Sequence, residues 1–197
     1  SDVCSSDLAH HVVLEIASVT FMIPLGLASA GAVRVGQALG RGEPAAAGRA
    51  GWIAVILGAA FMTASGLVMA AFPRALASLF TTDPRVIALA ARLMIVAAGF
   101  QLFDGLQGVS TGTMRGAGDT RTPVVCILGA YWGVGLPLGC LLTFGVGYGV
   151  IGLWIGLATG LAASGITILL AWNRKADALA RGEFALAGAG AGADAEP

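Results

Sequence analysis

The chain has 197 residues, of which 57% are hydrophobic and 11% charged, and its mean hydropathy is +0.85. Soluble domains carry about 25% charged side chains, so this composition excludes an ordinary soluble fold and favours a membrane protein. Eleven basic and eleven acidic residues cancel, and no run of lysines or arginines is present. The sequence therefore lacks the positive patch that a nucleic-acid partner requires.

Residues 1–8, SDVCSSDL, differ in character from the apolar sequence that follows. They contain neither an initiator methionine nor the basic flank and apolar centre of a signal peptide. They resemble the translation of a sequencing-library adapter, as found at the ends of truncated reading frames. We therefore expect residues 1–8 to be a non-native leader and the native chain to begin within a longer protein.

Long apolar stretches then predict membrane spans, since about 20 such residues cross a hydrocarbon core of about 30 Å. The first three are residues 12–33, 50–73 and 86–114. The next stretch, residues 122–173, has 52 residues and no charged side chain, which suits two spans, residues 123–143 and 150–172. Alternating glycines in residues 143–150, TFGVGYGV, favour a turn between them. The predicted fold class is an all-α integral membrane protein with five transmembrane helices.

Basic residues predict the orientation, because short loops rich in Lys and Arg stay in the cytoplasm. With a cytoplasmic C-terminus, eight basic residues face inside and only Arg74 and Arg85 face outside. Arg92 lies inside the third span, from where it can extend to the outer headgroups. Residues 175–197 end in AGAGAGADAEP, which cannot anchor a core, so we expect a disordered cytoplasmic tail.

Asp104 is the most informative polar residue, because it lies deep in the third predicted span. A carboxylate among hydrocarbon costs roughly 2.5–3.5 kcal/mol, so it usually marks an ion or substrate pathway; the alternative is a hydrogen bond to a neighbouring helix. Helical spacing gives it a supporting polar stripe, formed by Gln101, Gln107 and Thr111. Such a site could exchange a proton, or it could bind sodium, a hard cation suited to carboxylate and amide oxygens.

Other polar residues carry weaker signals. Glu15 lies near the end of the first span, where it can reach interfacial water, and it is a second candidate cavity residue. His10 and His11 have no Cys or carboxylate at metal-ligand spacing, so the pattern does not predict a zinc site. The phosphate-binding motif G-x-x-x-x-G-K-[ST] is absent. We expect no cofactor other than a coupling ion.

Glycine spacing predicts where the helices approach closely. Small residues four apart allow membrane helices to pack backbone against backbone, and two such stripes occur: Gly108, Gly112 and Gly116, and Gly152, Gly156, Gly160 and Ser164. In the loop MRGAGDTRTP, we expect Asp119 to form local ion pairs with Arg115 and Arg121.

From residue 9 to about residue 174 the chain resembles the C-terminal lobe of multidrug and toxic compound extrusion (MATE) transporters. The matching stretches are IASVTFMIPLGLASAGAVRVGQALGRGEPAAAGRAGW, FPRALASLFTTDPRVIALAARLM, FQLFDGLQGVSTGTMRGAGDTRTP and YWGVGLPLG followed by GVIGLWIGL. The resemblance implies a twelve-helix, two-lobe fold, of which this chain would supply the eighth to twelfth helices. The N-terminal lobe of the same protein would then be a missing partner.

The resemblance also implies a function, which is export of cationic, amphipathic drugs across the bacterial inner membrane in exchange for sodium ions or protons. Asp104, in FQLFDGLQ, matches the family's cation-coordinating carboxylate. His11 and Glu15 depart from the family pattern, in which amides are usual, so Glu15 could add a second titratable group.

Two other functions compete with a drug exporter. A lipid-linked oligosaccharide flippase of the same superfamily would also have a polar cleft, but it should carry several arginines for a pyrophosphate. An intramembrane enzyme could use Asp104 as an acid or base, but aspartyl chemistry needs two carboxylates in one site. On this sequence the chain is not expected to be an enzyme.

Overall fold

The computed structural model describes residues 2–182, except for the side chains of residues 2–6 and Val150. Every regular element in this range is helical. In chain order the helices are α1 Asp2–Gly40, α2 Pro44–Ala71, α3 Pro73–Ser78, α4 Pro84–Gly116, α5 Arg121–Ala130, α6 Leu136–Cys140 and α7 Gly149–Ala180. Two π-helical segments, Tyr131–Gly135 and Leu141–Gly145, precede and follow α6.

The described range contains five helical segments that are long and apolar enough to cross a membrane, which confirms the predicted fold class. They are Asp7–Gly40, Pro44–Ala71, Pro84–Gly116, Arg121–Gly145 and Ile151–Ala180. Their outward faces carry apolar side chains such as Leu67 and Val125, which are 66% and 68% exposed. A surface of this kind suits contact with lipid, because lipid tails are as apolar as leucine.

The structure differs from the prediction at the end of the second span and agrees with it at the turn between the last two spans. The second span stops at Ala71 rather than at residue 73, because Pro73 has no backbone N–H and starts the short helix α3 instead. The predicted turn within residues 143–150 is confirmed. Gly147 and Gly149 adopt φ values of 84° and 55° there, in the left-handed region that glycine enters without a steric cost.

The prediction of a disordered tail from residue 175 is wrong for its first part. Helix α7 continues to Ala180, and a turn follows at Arg181 and Gly182. The helix persists because Ala176 and Leu179 are buried in a cluster with Ala47 of α2. Residues 183–197, which include the glycine-rich end, lie outside the described residues.

At the other end of the chain, α1 already begins at Asp2 and runs without a break into the first span. Residues 2–8 therefore share one helix with the residues that follow them. This continuity says nothing about where those residues come from, so the non-native leader stays a prediction.

Helix α4 lies at the centre of the fold and packs against α1, α2 and α7. The first glycine stripe makes the contact with α1. A Cβ added at Gly112 would lie 2.8 Å from the Cα of Ala28, and one added at Gly116 would lie 2.7 Å from the Cα of Ala32. The second stripe packs α7 against α6 and the preceding π-helical segment. Both stripes thus permit close backbone contact, as predicted from their spacing.

Proline affects the fourth span more than the first. Pro137 cannot donate a hydrogen bond to the preceding turn, and the π-helical segment Tyr131–Gly135 lies directly before α6. Wide turns of this type are often found at functional sites, and this one contains Tyr131. By contrast, Pro24 lies inside α1, which stays helical throughout.

Two apolar clusters occupy the two ends of the bundle. The first joins the start of α1, the first half of α4 and Trp154 of α7, and its α4 members end at Ala97. The second joins the ends of α1, α4 and α7 to the start of α2, and its α4 members begin at Val109. Residues 98–108 of α4 lie between the two clusters and carry three of the polar side chains of the predicted site, Gln101, Asp104 and Gln107.

The loop between α4 and α5 forms contacts other than those predicted. Asp119 does not pair with Arg115 or Arg121. Its carboxylate accepts hydrogen bonds from the backbone N–H and hydroxyl of Thr122, at 3.0 and 2.9 Å, and it forms an ion pair of 3.4 Å with Lys175 of α7. Partial burial raises the pKa of Asp119, but the Thr122 hydrogen bonds and the Lys175 charge outweigh it, so the net pKa is lowered.

Candidate functional site

Asp104 lies in the polar middle of α4, between the two apolar clusters. Its side chain is half-buried, and it forms no hydrogen bond or ion pair with any residue that the structure describes. It lies close enough to Tyr131, at the first π-helical turn of the fourth span, for its charge to act on the phenol. An acid in this position is not occupied in holding two helices together, so its carboxylate is available to a proton or a cation.

The side chain of Gln101 contacts α1 and α2, whereas Asp104 lies near the fourth span. Its side-chain amide lies 2.9 Å from the hydroxyl of Thr20 in α1, 3.2 Å from that of Ser65 in α2 and 3.3 Å from the sulfur of Met69. The residue is completely buried, and its Oε1 has no partner among the described residues. Gln101 therefore ties α1, α2 and α4 together at mid-depth, and its role beside Asp104 stays a prediction.

Gln107 and Thr111 lie on the next two turns of α4 and are both half-buried. The Thr111 hydroxyl donates to the carbonyl of Gln107 in its own helix, at 2.7 Å. The Gln107 Oε1 is buried and has no partner in the described part of the chain. Close by, Gly165 of α7 packs against the backbone of Phe103 and Gln107. An unpaired amide oxygen one turn from Asp104 could be a second oxygen ligand for a cation.

Glu15 is exposed near the start of α1. It has no hydrogen bond or ion pair among the described residues, and no contact places it beside Asp104. The structure therefore does not bring the two acids together in one site. The shared-carboxylate geometry of an aspartyl enzyme is consequently not present in residues 2–182.

A cavity lined by aromatic side chains lies next to Tyr131. Its volume is about 360 Å³, and its walls include His10, Phe100, Tyr131 and Trp154. The rings of His10 and Trp154 are 5.1 Å apart and nearly perpendicular, and those of Phe100 and Trp154 are 6.0 Å apart. The volume is at the lower end of ligand pockets, and aromatic walls suit an organic cation through cation–π attraction.

One hydrogen bond fixes the protonation pattern of His10. The indole Nε1–H of Trp154 donates to Nδ1 of His10 at 3.2 Å. Because indole can only donate, the lone pair of Nδ1 accepts this bond, and the geometry favours the neutral tautomer that carries its hydrogen on Nε2. The sequence did not point to this pair, because its members are 144 residues apart and no spacing rule connects them.

Potential metal ligands are sparse in the described residues. No group of three or more His, Cys, Asp or Glu side chains lies close enough to hold a metal ion. Sodium can still use hydroxyl, amide and carbonyl oxygens besides one carboxylate. Asp104, together with the buried and unpaired Oε1 of Gln107 on the next turn of the same helix, is one set of oxygens that the fold offers for such an ion.

Five helices that are long and apolar enough to cross a membrane define an all-helical integral membrane protein. Comparison with known proteins gives the family. The family model described as MatE matches residues 7–141, which is more than half of the chain. The chain therefore belongs to the MATE family.

Two relatives show the same likeness over most of the chain. The chain is 47% identical over 172 residues to "Probable multidrug resistance protein NorM" of Mesorhizobium japonicum, and this match covers 85% of the chain and 37% of that protein. It is 46% identical over 170 residues to "Multidrug resistance protein NorM" of Burkholderia vietnamiensis, with 84% and 36% covered. The chain thus spans little more than a third of the length of these relatives.

Solved structures show the same fold. The crystal structure of the eukaryotic MATE transporter AtDTX14 superimposes with a TM-score of 0.81 at 24% identity, covering 91% of this chain and 41% of that chain. An inward-facing multidrug resistance MATE family transporter of the MOP superfamily gives a TM-score of 0.75 at 17% identity, with 86% and 39% covered. At these identities the likeness concerns the fold alone.

Proposed function

We propose that this chain is part of a multidrug exporter that moves cationic, amphipathic drugs out of the cell in exchange for sodium ions or protons. The single observation that carries the proposal is Asp104, an acid in the membrane interior with no partner among the described residues. The relatives are named multidrug resistance proteins, which supports the same substrate class. The complete protein would lie in the bacterial inner membrane with its C-terminus in the cytoplasm and would include an N-terminal lobe.

The physical basis of coupling is the cost of a bare charge at mid-depth. An ionised Asp104 is stabilised while water or a cation reaches it, and it is destabilised when the surrounding helices close around it dry. Binding of a proton or sodium removes that penalty, so the ion changes which conformation is favoured. A drug cation that binds near the same carboxylate would compete with the ion, which is the requirement for exchange.

The aromatic cavity gives the drug a place near Asp104. Phe100 lies one turn before Asp104 on α4, and Tyr131 both lines the cavity and lies within electrostatic reach of the acid. An aromatic cation could thus place its rings against Phe100 and Trp154 while its charge interacts with Asp104. The cavity contains no arginine, so it offers no site for the pyrophosphate of a flippase substrate.

The test is Asp104→Asn in the full-length transporter. A sodium or proton gradient is imposed across everted membrane vesicles, and the uptake of ethidium into the vesicles is followed by fluorescence. Asp104→Asn should insert normally and lose gradient-driven uptake, because asparagine cannot change its charge. Asp119→Asn, an acid in the loop outside the spans, is the matched control and should retain uptake. Full uptake by Asp104→Asn would contradict the proposal.

The tentative role of Glu15 is tested in the same vesicles. If Glu15 adds a second titratable group to the pathway, then Glu15→Gln should change the pH dependence of uptake. Unchanged pH dependence would remove Glu15 from the site and leave Asp104 as the acid that carries coupling.

A further inference from the structure

A second cavity lies away from Asp104, where α2, α3 and the first half of α4 meet. Its volume is about 420 Å³. Two arginines line it, Arg74 in the first turn of α3 and Arg92 in α4. The remaining walls are apolar and include Phe72 and Ile95, and no acidic side chain is among them.

Neither guanidinium has a counterion within the fold. Arg74 and Arg92 form no hydrogen bond or ion pair with residues 2–182. The acid at this end of α4 is Asp83, and its carboxylate caps the helix by accepting from the backbone N–H of Arg85 at 2.8 Å. Arg92 lies eight residues beyond Pro84, roughly 12 Å along the helix axis, so its backbone lies within an apolar span while its side chain is exposed. The guanidinium therefore requires an anion or water.

We infer that Arg74 and Arg92 form a binding site for the phosphate of an anionic phospholipid. Arginine presents several N–H donors in a planar fork that matches phosphate oxygens, and two such forks from different helices can hold one phosphate between them. Basic pockets between membrane helices bind lipid headgroups in this way. The site lies apart from the cavity of His10, Phe100, Tyr131 and Trp154 and does not depend on the transport function.

The apolar part of the cavity identifies lipid rather than free phosphate as the ligand. Phe72 and Ile95 are 61% and 57% exposed, beside the two arginines, and they give acyl chains a surface to lie on. A free phosphate ion would gain the same charge-assisted hydrogen bonds but nothing from these walls. An anionic headgroup is favoured over a zwitterionic one, because two unpaired positive charges repel a quaternary amine.

The experiment measures lipid binding to the full-length transporter in detergent. Native mass spectrometry counts bound phosphatidylglycerol as it is titrated, with phosphatidylcholine as the comparison lipid. The double variant Arg74→Gln and Arg92→Gln should weaken phosphatidylglycerol binding by about tenfold or more and leave phosphatidylcholine binding unchanged. Arg85→Gln is the matched control, because it removes an exposed arginine from the same end of α4 that does not line the cavity.

Three results would overturn the inference. The first is unchanged phosphatidylglycerol binding by the double variant. The second is an equal loss in Arg85→Gln, which would indicate diffuse attraction of anions. The third is displacement of the lipid by inorganic phosphate at equal concentration, which would make free phosphate the ligand. Arg92→Lys keeps the charge without the fork, and we expect intermediate binding. Unfolding temperatures of all variants in phosphatidylcholine serve as the check on folding.

Discussion

Helix α4 provides a matched pair of glycines for one sharp prediction. Gly112 and Gly99 lie in the same helix, but Gly112 packs on the backbone of Ala28 whereas Gly99 has no atom within 4 Å of the position of an added Cβ. Alanine is a better helix former than glycine by about 1 kcal/mol. Forcing an extra methyl into a packed contact costs about 1–3 kcal/mol, because the opposing backbone must move.

Gly112→Ala should therefore lower the free energy of unfolding by up to about 2 kcal/mol, because the gain in helix propensity offsets about 1 kcal/mol of the packing cost. Gly99→Ala should leave it unchanged or raise it. The assay is reversible unfolding of the full-length protein in mixed detergent micelles, followed by tryptophan fluorescence. Equal stability of the two variants would refute the reasoning, because it would mean that α1 and α4 do not touch at Gly112.

Two further predictions concern the ends of the bundle. Asp119→Asn should lower the unfolding temperature at neutral pH, by up to about 1 kcal/mol in free energy, because the ion pair with Lys175 is lost, although asparagine can still accept from the backbone N–H of Thr122. Since folding lowers the pKa of Asp119, the difference should shrink as the pH falls below the ordinary value of 3.8. A difference that does not change with pH would contradict the ion pair. For His10, side-chain ¹⁵N NMR should show that the neutral imidazole carries its hydrogen on Nε2, and Trp154→Phe should abolish this tautomer preference; His11, which is exposed, is the internal reference.

The number and position of the helices were predictable because the membrane imposes them. An apolar stretch that is long enough to cross the bilayer predicts a span directly. The glycines at residues 143–150 indicated the turn within an uncharged stretch. The error at the second span came from a local effect, since Pro73 could start a helix as readily as end one. The predicted tail began too early, at residue 175, because the prediction rested on the glycine-rich end of the chain, whereas α7 continues to Ala180. Trp172, Ala176 and Leu179 have helical spacing and are all buried, which was the available signal.

The site was harder to predict, because helical spacing gives faces but not neighbours. Gln101 lies three residues before Asp104, which at 3.6 residues per turn is about 60° away around the helix. That angle is enough to direct the amide of Gln101 to α1 and α2. Thr111 is aligned with Asp104, yet its hydroxyl bonds to its own helix. Asp104 lies within electrostatic reach of Tyr131, which belongs to the π-helical turn before α6, and no sequence pattern gave the position of that turn.

The distribution of partners around α4 suggests which helices respond to the coupling ion. On one side, Gln101 binds α1 and α2 through side chains that do not ionise. On the other side, Asp104 is near the fourth span, and Gly165 of α7 packs directly on the α4 backbone beside it. Because no described residue forms a hydrogen bond with Asp104, a change of its charge breaks no hydrogen bond within the described part of the chain. We expect the fourth and fifth spans, rather than α1 and α2, to shift when the acid is neutralised, because their contacts with this part of α4 involve a half-buried charge and a glycine.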